Sequence, residues 1–132
     1  MSVAFDAFTE HYLKVKTTDS PVFSTFLGLH EHDGKLGAFS RDALEDEHRH
    51  DLELLAELES LPLDGEPLEV RVDAAALASS LRSDVFRHET LRTHERMPNT
   101  YVGTALGGCN GLIMKEFAPL EERAVSLLSR VR

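Results

Sequence analysis

Two short segments of the chain concentrate side chains that could bind a metal or transfer protons. "GLHEHDG" (28–34) contains two histidines, a glutamate and an aspartate, and "HETLRTHE" (88–95) contains two His-Glu pairs. A helical zinc site needs histidines four positions apart, because that spacing puts both rings on one face. His30 and His32 are two apart, so on a helix they would point about 200° apart. We therefore predict turn residues here, whose metal chelation with Asp33 would be adventitious.

The other histidines fail the same spacing test. His88 and His94 are six positions apart, which predicts different helix faces, and His48 and His50 are again two apart. His48 and His88 fall on apolar stripes and are interpreted as histidines at the edge of a core. Cys109 in "GGCNG" lacks the glycine spacing and the lysine of a phosphate-binding loop, and no GxSxG motif is present.

These segments must be positioned by helices, because apolar residues recur at helical spacing through most of the chain. In "DSPVF" (19–23), Asp19 or Ser20 caps a helix that contains Pro21 in its first turn, and this helix should stop near Gly28. Ser40 starts the next helix. The inner stripes of the first, third and fourth helices are Phe5, Phe8, Tyr12 and Val15; Leu44, His48, Leu52, Leu55 and Leu58; and Val70, Ala74, Leu77, Leu81, Val85, His88 and Leu91.

The last third of the chain is read as an irregular segment followed by a helix. "RMPNTYVGTALGGCNG" (96–111) contains Pro98 and four glycines, which predicts either a functional loop or a hinge between helices. "APLEERAVSLLSRVR" is a helix that is still amphipathic at Arg132, as expected of a natural domain end or of a truncation. Its apolar side is Leu120, Ala124, Leu127, Leu128 and Val131. The pattern as a whole predicts an all-α array of about five or six helices.

Composition excludes several classes of function. The 132 residues include 23 acids and 14 bases, for a formal net charge of −9, which disfavours nucleic acid as a partner. Acids interrupt the densest basic cluster, so we read it as a solvated helix face; it consists of Arg82, Arg87, Arg92 and Arg96. A single cysteine excludes an intrachain disulfide. No signal peptide or membrane span is predicted, which indicates a soluble protein of the reducing cytoplasm.

Three stretches in collinear order carry a resemblance to a known family: "PVFSTFLGLHEHDGKLGAFS", "VDAAALASSLRSDVFRHETLRTHERMPNTYVGTAL" and "EFAPLEERAVSLLSRV". The matching residues are Pro21, Leu27, Gly28, His30, Asp33, Asn99, Tyr101, Phe117, Ala118, Pro119, Glu121, Glu122, Arg123 and Arg130. With these residues the chain resembles the N-terminal region of the bacterial family catalogued as domain of unknown function 885, including its opening helix. Two departures are His32, which replaces the family's usual aromatic residue, and Pro98, which is displaced relative to the family's Asn-Pro-x-x-Tyr element.

The resemblance implies a helical scaffold similar to the zinc peptidases of the thimet/neurolysin and bacterial carboxypeptidase type, in which helices wall a peptide channel. The family's zinc motif belongs to the second half of a longer chain, so zinc is expected only with that part, and no catalytic or metal role is carried over here. Gly28 is expected to relax the turn and His30 and Asp33 to tie it by hydrogen bonds. The candidates for a channel role are His30, Asp33, Asn99 and Tyr101.

Three readings follow. In the first, residues 1–132 form a single helical region, the incomplete N-terminal part of a larger metallopeptidase-like domain, non-catalytic by itself and with apolar patches where the missing part packs. Its partner is then that C-terminal part, and a peptide substrate belongs only to the full-length protein. In the second, the chain is a self-standing helical binding or assembly module that forms a homodimer. In the third, converged histidines make an independent metal-dependent enzyme.

Overall fold

The computed structural model describes residues 2–132, and within them the chain is helical with no strand, which confirms the all-α prediction. Seven α-helices are joined by short loops, a 3₁₀ turn at His30–His32 and a π turn at Arg87–Leu91. No helix in this part of the chain is long and apolar enough to cross a membrane. The helices are α1 (Val3–Asp19), α2 (Pro21–Phe26), α3 (Arg41–Ser60), α4 (Leu68–Phe86), α5 (Thr93–Arg96), α6 (Asn99–Met114) and α7 (Leu120–Arg130).

The helices divide into two compact units. The first unit contains residues 2–14 and Ser40–Arg96, and the second contains Val15–Phe39 and Met97–Arg132. The prediction that residues 1–132 form a single helical region, the incomplete N-terminal part of a larger domain, stays a prediction.

The first unit has an apolar core made where α3 packs against α4 and where the start of α1 is buried. The predicted stripe of α1 is confirmed, and its rings contact in sequence, with centroids of Phe5 and Phe8 6.3 Å apart and of Phe8 and Tyr12 6.1 Å apart. On α3 the predicted stripe is confirmed at Leu58, but it was wrong at Leu52, which is exposed, and it missed Leu54, which is buried. The buried apolar residues are Phe5, Phe8, Tyr12, Leu54, Leu58, Ala74, Ala78 and Leu81.

The second unit packs α2 and α7 against α6. The predicted start of α2 is confirmed with Ser20 as N-cap and Pro21 in the first turn, although the serine side chain makes no capping hydrogen bond. Gly28 follows the end of α2 with φ +86°, a conformation that glycine adopts without strain, as predicted. Leu112 and Pro21 are the buried aliphatic residues of this unit, and most of its other buried side chains are polar.

The prediction of a loop or hinge over 96–111 was wrong, because α6 spans Asn99–Met114. Glycine lowers helix stability by only about 1 kcal/mol per residue, and packing on one face offsets that cost. Gly108 is where this packing occurs: a Cβ there would lie 2.8 Å from the Val22 side chain. The glycine thus lets α2 and α6 approach closely. This helix and the four-residue α5 raise the number of helices above the five or six expected.

Candidate functional site

The predicted turn at 28–34 forms and is closed by side-chain hydrogen bonds. His30 Nδ1 lies 2.9 Å from Asp33 Oδ2, and since a carboxylate only accepts, the ring nitrogen donates. Thr25 Oγ1 donates to the other carboxylate oxygen at 2.7 Å. The His30 ring also stacks on Phe117, with centroids 3.8 Å apart. The expectation that His30 and Asp33 tie this turn is confirmed.

Arg130 extends this network into the interior of the second unit. The residue is 5% exposed, and its Nη2 donates to Thr25 Oγ1 at 2.5 Å, beside Asp33. Its remaining donors reach backbone carbonyls, Nε to Lys35 at 3.0 Å and Nη1 to Gly108 at 2.5 Å. Burial lowers the pKa of the Arg130 guanidinium, and the charge of Asp33 acts in the opposite direction. The guanidinium therefore joins α2, the 28–34 turn, α6 and α7.

Arg123, one step of seven residues earlier on α7, closes the end of α6. Its Nη1 donates to the carbonyls of Leu112 at 2.9 Å and Ile113 at 2.8 Å, and its Nε donates to that of Ala118 at 2.9 Å. Terminal carbonyls of a helix have no partner within the helix, so the arginine supplies one. Sequence reasoning missed the inward direction of both arginines, although their spacing of two helical turns was the available signal.

Asn99 and Tyr101 lie in the first turn of α6. Asn99 is exposed, and the Tyr101 ring meets Phe39 edge-on with centroids 5.6 Å apart. These contacts do not join them to the His30–Asp33 pair. The channel role of these four residues stays a prediction.

The first unit contains a cluster that sequence spacing did not predict, a stack of three imidazoles. The rings of His48 and His88 lie 4.1 Å apart and 3° from parallel, and those of His88 and His94 lie 4.3 Å and 17° apart. The side chains of His48, His88 and His94 are only 12%, 18% and 20% exposed. The interpretation of the first two as edge-of-core histidines is confirmed.

A glutamate faces the Nε2 edge of each ring. His48 Nε2 donates to Glu89 at 3.0 Å, because the carboxylate can only accept. Glu45 lies 3.8 Å from His88, and Glu95 lies 3.7 Å from His94. Burial, followed by the neighbouring His48 and His94, lowers the pKa of His88, and Glu45 and Glu89 act in the opposite direction.

The backbone explains why His88 and His94 meet despite their spacing. The α-helix does not continue through them: α4 gives way to the π turn, and Arg92 follows in the left-handed conformation at φ 51°. A left-handed residue other than glycine costs free energy and re-aims the chain. The prediction that His88 and His94 lie on different helix faces was wrong because it assumed one continuous helix.

Beside the stack is a shallow pocket of about 220 Å³ lined by Arg41, Leu44, Glu45, His94 and Glu95.

A third feature is a set of exposed apolar side chains on α6 and α7 of the second unit, which we call the α6–α7 face. On α6, Val102, Leu106 and Ile113 fall within about 40° of one another at 100° per residue. On α7 the predicted apolar side is a stripe, but it points outward because Arg123 and Arg130 occupy the inner side. Each large side chain of the face is at least 54% exposed; they are Val102, Leu106, Ile113, Met114, Leu120, Val125, Leu128 and Val131.

Glycines lie beside this face. An added Cβ at Gly103, Gly107 or Gly111 would have no neighbour within 4 Å. Four-residue spacing puts the three on one strip of α6, where a second helix can approach its backbone closely.

Within residues 2–132 no group of three or more histidine, cysteine, aspartate or glutamate side chains has a geometry that could hold a metal ion. Comparison of the chain with known protein families, with curated proteins and with solved structures finds no match.

Proposed function

We propose that this chain is the N-terminal part of a metallopeptidase-like protein. In this proposal it is a non-catalytic helical region that packs against the C-terminal part. The observation that carries the proposal is the α6–α7 face. Its eight exposed side chains offer on the order of 400 Å² of apolar area, since fully burying a Leu or Val side chain removes about 60–120 Å². An exposed apolar area of about 300–600 Å² is typical of the largest patch on a folded domain, and that patch often serves in binding.

The use of the polar residues supports the same proposal. The side chains with the types expected of a channel, His30 and Asp33, hydrogen-bond to each other and through Thr25 to Arg130. Such a network holds a scaffold in shape rather than presenting reactive atoms. The resemblance to the family adds the context: zinc and a peptide substrate would be handled by the C-terminal part, in a cytoplasmic setting.

The deciding experiment is the intact mass of the native protein from its own cells, with the coding region read beyond Arg132. A mass well above 14.7 kDa together with a downstream zinc-binding motif is the expected result. A native product of 14.7 kDa would contradict the proposal.

The α6–α7 face itself can be tested on the isolated chain. Leu106→Gln with Leu128→Gln should reduce its self-association in sedimentation velocity, because both side chains lie on the face. Val72→Gln is the matched control, an exposed apolar residue of the first unit on α4, and should leave self-association unchanged. A wild-type chain that sediments as a single monomer at high concentration would argue against this face as a packing surface.

The second candidate function is a self-standing assembly module that forms a homodimer. The glycine strip favours it, because a second copy of α6 crossing there about a two-fold axis could approach the helix backbone closely. The available area also suits a dimer, since a standard interface buries about 800 Å² per partner, of which a little over half is apolar. A saturable monomer–dimer equilibrium that Gly107→Leu abolishes would support this candidate, whereas open-ended aggregation would favour the first.

A further inference from the structure

We propose that the imidazole stack of His48, His88 and His94 is a pH-sensitive latch. It holds the π turn and α5 against α3 while His88 is neutral, and it releases them when His88 becomes protonated. The proposal concerns the first unit and does not depend on the function assigned to the α6–α7 face.

The geometry of the stack favours neutral rings. Centroid spacings of 4.1 and 4.3 Å leave no room for water between the faces, so charges on adjacent rings would repel each other without screening. His88, in the middle, faces a ring on each side. Its pKa is lowered, first by burial and then by those two neighbours, which agrees with this geometry.

His48 adds a second geometric observation. Its Nε2 lies 3.0 Å from a Glu89 carboxylate oxygen, which the ring nitrogen donates to. Its Nδ1 is buried and has no hydrogen-bond partner among the described residues. Opening of the latch would expose this nitrogen to water, which could then hydrogen-bond to it.

Charged groups around the stack oppose this effect only weakly. Glu45, Glu89 and Glu95 would attract protonated rings, but their side chains are 62%, 54% and 42% exposed, so solvent screens them. Arg92 pairs with Glu95 at 2.5 Å and partly neutralises the charge of that carboxylate. Arg41 also faces Glu95 from α3. At His88, burial and the two neighbouring rings therefore outweigh the attraction of Glu45 and Glu89, and its pKa is lowered.

The backbone of the latch segment is suited to release. The π turn and the left-handed Arg92 are conformations that persist only while their surroundings hold them. The backbone hydrogen bonds of the segment include Arg92 N–H to the Arg87 carbonyl and the N–H groups of Glu95 and Arg96 to the Arg92 carbonyl. Loss of the ring contacts would remove the link that the stack makes between α5 and α3.

The sign of the pH effect follows from the lowered pKa of His88. The open segment binds more protons than the closed one at pH values below the ordinary histidine pKa of 6.5 and above the lowered one. The latch is therefore fully stable above pH 6.5 and weakens as pH falls through that window. One proton taken up on opening raises the opening constant at most about tenfold per pH unit.

The test is amide hydrogen exchange of the full chain between about pH 7.5 and 5, corrected for the intrinsic pH dependence of exchange. The protection of Arg92, Glu95 and Arg96 should fall by up to about tenfold per unit below roughly pH 6.5, while that of Leu81 in the middle of α4 changes much less. His88→Phe keeps a flat ring that cannot be protonated and should remove this pH dependence. His11→Phe is the control, since it removes the His11–Glu57 pair outside the stack and should leave the dependence intact.

The wild-type protein provides an independent measurement in case His88→Phe fails to fold. The ring resonances of His88 should report protonation over the same pH interval in which the protection of Glu95 falls. Protonation of His88 without loss of protection would overturn the proposal. So would a pH dependence that persists in folded His88→Phe, or protection in the wild type that stays constant down to about pH 5.

Discussion

The two units of the chain bury different types of side chain. Of the aliphatic and aromatic side chains that are buried in the described residues, all but Leu112 and Pro21 lie in the first unit. The second unit buries Ser24, Thr25, Asp33 and two arginines instead, and it exposes its apolar side chains on α6 and α7. An apolar core gains free energy from water exclusion alone, whereas buried polar groups require every hydrogen bond to be made. The second unit therefore depends on a few specific contacts and leaves apolar side chains of α6 and α7 exposed.

The largest expected effect is the loss of Arg130. Arg130→Met removes hydrogen bonds to Thr25, Lys35 and Gly108 and leaves the buried charge of Asp33 without its neighbour. Breaking a buried charged network in this way costs about 3–5 kcal/mol. Hydrogen exchange resolved to each unit should show the loss in Val15–Phe39 and Met97–Arg132.

Arg82→Met is the matched control for that substitution. Arg82 makes an equally short contact, 2.6 Å to Glu59, but its side chain is 60% exposed. Its removal should cost no more than about 1 kcal/mol. Equal effects of the two substitutions would contradict the assignment of Arg130 as the structural centre of the second unit.

The next effect tests the apolar core of the first unit. Leu81→Ala empties a fully buried position on α4 and should lower the free energy of unfolding by about 3 kcal/mol, from lost transfer energy and the cavity left behind. Leu128→Ala makes the same chemical change on the exposed α6–α7 face and should stay within about 0.5 kcal/mol. Urea denaturation of both variants measures the contrast. A large cost at Leu128 would mean that the face is already covered in solution.

Adjacent glycines of α6 provide a sharper test within the second unit. A Cβ at Gly108 would lie 2.8 Å from Val22 and 3.3 Å from Leu36, so Gly108→Ala should cost about 1–3 kcal/mol through overpacking. Gly107→Ala meets open space and should instead stabilise the helix by about 0.5–1 kcal/mol. Thermal denaturation of the pair should therefore give shifts of opposite sign. Shifts of the melting temperature in the same direction would contradict the packing described for α6.

Sequence periodicity predicted the first unit better than the second for a physical reason. Phe5, Phe8 and Leu81 obey the rule that apolar residues face inward, so their spacing identified both the helices and the core. Arg130 violates that rule, because its donors are satisfied by carbonyls from residues distant in sequence. Gly108 suggested a loop, because its role as a contact point depends on the position of Val22. A local sequence pattern shows neither which distant carbonyls Arg130 reaches nor where Val22 lies.

The sequence did not predict the histidine stack, for a related reason. Its assembly depends on a π turn and on the left-handed Arg92, which redirect the chain between His88 and His94. Nothing in "HETLRTHE" marks that change in direction, because arginine is not a residue expected in this conformation. By contrast, the tie between His30 and Asp33 joins residues three apart, a distance over which local reasoning succeeds.

The smallest expected effect compares the two serine caps. Ser40 Oγ accepts from the Ala43 N–H at 3.2 Å at the start of α3 in the first unit, whereas Ser20 in the second unit makes no such bond at the start of α2. Ser40→Ala should cost about 1 kcal/mol, because it leaves an amide at the helix start without its partner. Ser20→Ala should stay within about 0.5 kcal/mol. Urea denaturation of both variants measures the difference, and a larger cost at Ser20 would show that α2 relies on a cap that the structure does not contain.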